Sequence, residues 1–198
     1  MEKEIQEFYD EINSLDLDIH INLYEAMNEK INNLDGKVEP FTNKIENNLI
    51  DEEKIFSFKM NTFDDHDKML KKLSKYSILW KKANNYYDIK KQLILSFSEK
   101  LEFLKIVNQF NEIEKILTSN RLNSKKDEET LVKVSKIIED DLDTTRDFIL
   151  LIYNIFSVDA LDDGLRHKII EMLESKKLEQ SCKLIIGNVL QERNYRLV

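Results

Sequence analysis

Apolar residues recur at spacings of four and three through the middle of this chain. Met69, Leu73, Tyr76, Trp80, Ala83, Tyr87, Lys90, Ile94, Phe97, Leu101 and Leu104 follow that rhythm, and Lys90 alone breaks its apolar character. Such a seven-residue period belongs to a helix that buries one stripe against another helix. The pattern predicts a helix opened by the capping pair Thr62 and Asp65 and running to about Thr118. After Leu104 the register slips to Val107, Phe110, Ile113 and Leu117, as a stammer or a helix break would produce. A buried ammonium is costly unless paired, so Lys90 predicts either an acidic, register-setting partner or a gap in the packing.

Upstream, Ile5, Phe8, Ile12, Leu15, Ile19, Leu23, Met27, Ile31 and Leu34 recur every three or four residues and predict one helix from Lys3 to Leu34. Residues 15–23 also alternate as a half-buried strand would, but no second strand is evident to pair with them. Asp35-Gly36 and Glu39-Pro40 predict a turn, followed by a shorter helix over residues 42–58. Downstream, residues 119–126 read as a polar loop, and Ser124 with Asp127 offers a cap for a helix reaching Phe156. The second half of that helix, residues 148–156, is apolar nearly all round and must be covered on several sides. Phe148, Ile149, Ile152 and Phe156 are therefore expected in the densest contact region. Ser157 or Asp159 is expected to cap a short helix through Leu161, Leu165, Ile169 and Met172. A last helix carries Leu178, Cys182, Ile185 and Val189, and residues 193–198 read as a frayed tail.

Composition narrows the fold class. Three Gly and one Pro cannot supply the turns that a sheet fold needs. The expectation is an all-α, elongated chain of long helices with coiled-coil heptads and a shorter helical C-terminal region. Its segments would be an acidic helical region over residues 1–60, a long basic heptad helix over 62–118, and a C-terminal helical region over 127–198. Charge follows the same division, with net values of −12 for residues 1–67, +9 for 68–126 and −5 for 127–198. The basic middle is thus suited to acidic helices, either its own N-terminal segment or those of a partner. One cysteine, Cys182, rules out an intramolecular disulfide and fits a reducing, intracellular compartment. The charged opening Met1-Glu2-Lys3-Glu4 reads against a signal peptide, and the nine-residue apolar run at 148–156 is too short to span a bilayer.

No catalytic signature emerges: there is no Gly-rich phosphate loop, no nucleophile elbow and no Cys–His pair with family spacing. Asp64-Asp65-His66-Asp67 gathers metal-capable side chains, but it reads more simply as an acidic helix start. Asp16, Asp18 and His20 approach a calcium-loop spacing, yet Ile21 stands where the loop requires Gly. His167 falls on an exposed face, and Glu139-Asp140-Asp141 with Asp143 reads as a solvated one. No cofactor or metal is expected. The lysines of residues 68–91 alternate with Tyr76, Trp80, Tyr86 and Tyr87, a mixture that can bind nucleic acid. Core aromatics with solvated lysines explain it without direct nucleic-acid contact.

Residues 148–173 carry a further pattern. Leu151, Ile152, Ser157, Val158, Asp159, Asp162, Asp163, Leu165 and Arg166 form an apolar helix end, a Ser-Val-Asp turn, an acidic pair and a Leu-rich helix. This run resembles the C-terminal signature of the centromere protein H family, inner-kinetochore subunits built of long helices. Ala160 stands where that family has Trp, Gly164 where it has Pro, and some 25 residues follow where the family usually stops. The resemblance implies a nuclear, non-enzymatic subunit joined to other helical kinetochore subunits in a hetero-oligomer. The partner-binding residues would then be Met69, Leu73, Tyr76, Trp80, Tyr87, Lys90, Ile94, Phe97, Leu101 and Leu104 of the seam, with Phe148, Ile149, Ile152 and Phe156. The same physics would serve a cytoplasmic tether or motor-adaptor subunit. It would also serve a compact helical-bundle adaptor whose long helix folds back at residues 119–126.

Overall fold

The structure, a computed structural model, describes residues 2–17, 24–52, 60–98, 101–124 and 128–195. Among these the chain is all-α, with helices α1 (Glu2–Asn13), α2 (Tyr24–Glu52), α3 (Met60–Leu95), α4 (Phe103–Leu122), α5 (Glu129–Ser157), α6 (Asp163–Glu174) and α7 (Gln180–Glu192). No described helix is long and apolar enough to cross a membrane.

Three boundaries depart from the periodicity. The helix expected over Lys3–Leu34 ends at Asn13 and passes into a 3-10 turn at Ser14–Leu17. Ser14 donates its hydroxyl to the Glu11 carbonyl at 2.7 Å, occupying a group that a continuing α-helix would use. The rest of the alternating stretch, residues 18–23, and the expected helix end at 53–58 lie outside the described residues.

The second departure is the turn expected at Gly36 and Pro40, because α2 runs through both. Gly36 has no positive φ, and a Cβ added there would meet nothing within 4 Å. Pro40 removes one backbone donor, yet burial on both sides outweighs that loss. Met27, Ile31, Leu34 and Ile45 are buried, and Phe41 stacks on Phe8 of α1 at 4.5 Å.

The third departure lies in the heptad helix, which ends at Leu95 and is followed by α4 at Phe103. Phe97 lies 6.1 Å from Phe103, and both rings lie near Phe156, at 6.4 and 5.9 Å. In an unbroken helix, residues 97 and 103 would sit about 120° apart around the axis and could not share that neighbour. The helix thus breaks between Leu95 and Phe103, ahead of the slip expected after Leu104, and α4 runs unbroken through that point. Phe103, Val107, Phe110, Ile113 and Leu117 form the buried stripe of α4 itself.

The chain forms two compact units, residues 1–84 with 119–135, and residues 85–118 with 136–198. In the first, α1, α2 and the first part of α3 enclose Phe8, Ile12, Ile31, Leu73, Tyr76, Leu79 and Trp80. Lys75 there reaches Asn123 and Glu128 beyond the end of α4, and Asn120 donates to the Lys75 carbonyl at 2.9 Å. In the second unit, α4 runs antiparallel to α5. Thr118 donates to Glu139 at 3.2 Å, and Arg146 donates to Asn111 at 3.0 Å and to Glu114.

Candidate functional site

Lys90 is the most constrained charge in the second unit. Its side chain is 7% exposed, and its ammonium donates to both carboxylate oxygens of Asp141 on α5 at 2.9 Å and lies 2.6 Å from Glu179 just before α7. Tyr86, one helical turn earlier on α3, donates to Asp141 at 2.9 Å and shares a 2.8 Å hydrogen bond with Thr145. Burial alone would lower the Lys90 pKa, but the Glu179 hydrogen bond and the Asp141 charge more than offset it and leave it raised. Burial, then the Asp141 carboxylate, pushes the Tyr86 phenol far up, and burial beside Glu179 raises the Cys182 thiol to about 11. The cluster therefore holds a protonated lysine, a neutral phenol and a neutral thiol around two carboxylates. It can tie α3, α5 and α7 together, but it presents no poised nucleophile.

Of the two outcomes open for Lys90, an acid or a gap in the packing, the structure shows acids, both within its own chain. Asp141 was read as part of a solvated run, and the structure corrects that reading. Asp141 takes Lys90 and Tyr86, Glu139 accepts from Thr118, and Asp143 pairs closely with Arg146. Only side-chain chemistry across helices separates these acids from their solvated neighbour Asp140, and a single sequence carries no signal of it. Arg146, Arg193 and Tyr195 were missed for the same reason. Arg193 donates to the Phe156 carbonyl and stacks over its ring at 5.7 Å, and Tyr195 donates to the Val158 carbonyl. Up to Tyr195 the expected frayed tail is therefore pinned. The cap of α6 is Asp162, whose carboxylate accepts from the Leu165 amide at 2.7 Å, rather than Ser157 or Asp159.

The remaining expected partner-binding residues divide by burial. In the first unit Leu73, Tyr76 and Trp80 are covered by the chain's own side chains, as is Ala83 of the same seam, and Met69 is half-buried. In the second, Phe148, Ile149 and Ile152 are core residues, while Tyr87, Ile94, Phe97, Leu101 and Phe156 are half-buried. Leu104 is 51% exposed and Leu95, outside the seam, 75%. These two flank the α3–α4 connection, where Phe103 lies near the rings of Phe97, Tyr153 and Phe156.

Three lysines of the basic stretch reach other helices or loops of the first unit: Lys72 donates to Asn13, Lys75 to Glu128 and Lys81 to Asp35. His66, expected at an acidic helix start, is buried between Tyr9 and Thr42, with hydroxyls 3.1 Å from each ring nitrogen. No group of three or more metal-capable side chains comes together among the described residues. A groove of about 590 Å³ opens in the second unit between α5 and α6. Comparison with protein-family models, with curated proteins and with solved structures gives no match to this chain.

Proposed function

We propose that this chain is a non-enzymatic helical subunit that joins other helical proteins in a multiprotein assembly, with the inner kinetochore, and hence the nucleus, as its setting. The observation that carries the reading is the apolar surface at the α3–α4 connection. Leu95 and Leu104 stand exposed at its two ends, and Phe97 and Phe103, close to them in the chain, lie near Phe156. Large apolar side chains exposed at both ends of one connection suit protein contacts. The polar clusters support the non-enzymatic part of the reading, because Lys90, His66 and Cys182 are buried within helix-joining contacts. The kinetochore setting rests on the resemblance over residues 148–173.

Burial of Leu73, Tyr76, Trp80 and Ala83 inside the chain favours a helical-bundle adaptor over an open zipper. Purification of the tagged chain from its native cell, with mass spectrometry, tests the proposal. Helical subunits are expected with the wild type and are expected to be lost from a Leu95→Glu, Leu104→Glu variant of unchanged circular dichroism. A wild-type chain that elutes alone as a stable monomer overturns the reading. Fluorescence at centromeres rather than in the cytoplasm tests the setting.

A further inference from the structure

The groove between α5 and α6 has two unlike walls. Asp140, Asp143 and Asp147 lie along the α5 side at i, i+3 and i+7, and Lys168, Glu171 and Lys177 line the other. Leu150, Leu151 and Met172 supply apolar lining between them. Asp143 is paired with Arg146. Among the described residues, neither Asp140 nor Asp147 has an ion-pair or hydrogen-bond partner for its carboxylate. Burial raises the Asp143 pKa, Arg146 opposes that rise, and the neighbouring carboxylates of Glu114, Asp147 and Asp140 add to it.

We infer that the α5–α6 groove receives an amphipathic helix of a protein partner, with lysine or arginine along the edge that meets Asp140 and Asp147 and leucine-type residues against Leu150 and Met172. The spacing of the carboxylates carries the choice of a helix. Steps of three and four residues along α5 rise about 4.5 and 6 Å, the separation of cations at i, i+3 and i+7 on a helix lying alongside. The lined stretch of α5, from Asp140 to Asn154, spans about 21 Å, room for some four turns of such a helix. Lys168 and Lys177 on the far wall set the complementary preference, for carboxylates on the guest's other edge. The lining carries more carboxylates than ammoniums, so the cationic edge dominates selection. Helix-in-groove recognition of this type reads apolar anchors for affinity and flanking charge for choice of partner.

This inference rests on the proposed subunit role and goes beyond it, adding a seat for a partner at a site other than the α3–α4 connection. It is tested with the full chain and two labelled synthetic helices that share a leucine face, one flanked by lysine and the other by glutamate. Fluorescence anisotropy at about 0.1 M salt is expected to give the lysine peptide a Kd about tenfold lower. Asp140→Lys with Asp147→Lys should abolish or reverse that preference. Glu112→Lys with Glu192→Lys, the same charge change on exposed positions elsewhere, should preserve it. Equal affinity for both peptides, or equal loss in both variants, overturns the assignment, because the second result would mean attraction by the overall charge of −8. The co-purification experiment does not depend on these peptides, so failure here leaves the broader proposal to its own test.

Discussion

Lys90 shows how a single residue can be legible in need and illegible in answer. Its place in an apolar seam called for an acid or a gap in the packing, but nothing in residues 139–143 distinguished Asp141 from the acids around it. Three-dimensional packing brings Asp141 and Glu179 to the ammonium. Lys90→Met should therefore destabilise the chain by about 2 kcal/mol in urea unfolding, since it strands Asp141 against Tyr86. Adding Asp141→Asn should recover part of that loss, with a coupling above about 0.5 kcal/mol.

The sign of the pH dependence follows from the same cluster. Lys90, Tyr86 and Cys182 all have folded pKa values raised above their unfolded ones. Their contribution is fully present below the unfolded values, at neutral pH, and is lost as pH rises through the folded ones. Urea midpoints should hold from about pH 7 to 8 and fall above about pH 9 to 10, where the unfolded thiol and ammonium begin to titrate. Lys90→Met should flatten part of that fall. At pH 8 the Cys182 thiol should react with maleimide only on denaturation, because it is buried and its pKa is raised to about 11. Rapid labelling of the native chain would contradict this account.

At the scale of elements, propensity and packing conflict at two positions of α2 and at one of α7. Gly36 and Pro40 are local stop signals, but a buried stripe from Met27 to Ile45 carries the helix across them. Pro40→Ala restores a backbone donor on an exposed position and should raise stability by about 1 kcal/mol or more. Gly187 lies exposed within α7, where an added Cβ would meet nothing within 4 Å, so Gly187→Ala should add about 1 kcal/mol. Thermal unfolding followed by circular dichroism checks both, and a loss of stability for Pro40→Ala would mean that the proline's rigidity matters more than the missing hydrogen bond. The end of α3 is the opposite case. Its heptads continue past Leu95, and the chain breaks nonetheless because Phe97 and Phe103 meet beside Phe156.

At the scale of the molecule, core and surface separate residues that one periodic stripe had grouped together. Trp80 is fully buried in the first unit, whereas Leu104 in the second is half exposed. Trp80→Ala should cost about 4 kcal/mol, while Leu104→Glu should stay within about 0.5 kcal/mol in the isolated chain. Similar losses for the two would remove the distinction between core and docking surface on which the proposed function depends.

The all-α class was legible in the sequence because scarce Gly and Pro and three- and four-residue apolar spacings are properties of the chain read locally. So were the apolar faces of α3, α5 and α7, and the anomaly of a lysine within one of them. Tertiary structure alone decided where α3 stops, that α2 does not stop at Pro40, which carboxylates are buried and which face a groove, and which apolar residues cover one another. Periodicity reports that a face will be buried. What buries it depends on neighbours tens of residues away, and that choice is made only when side chains pack.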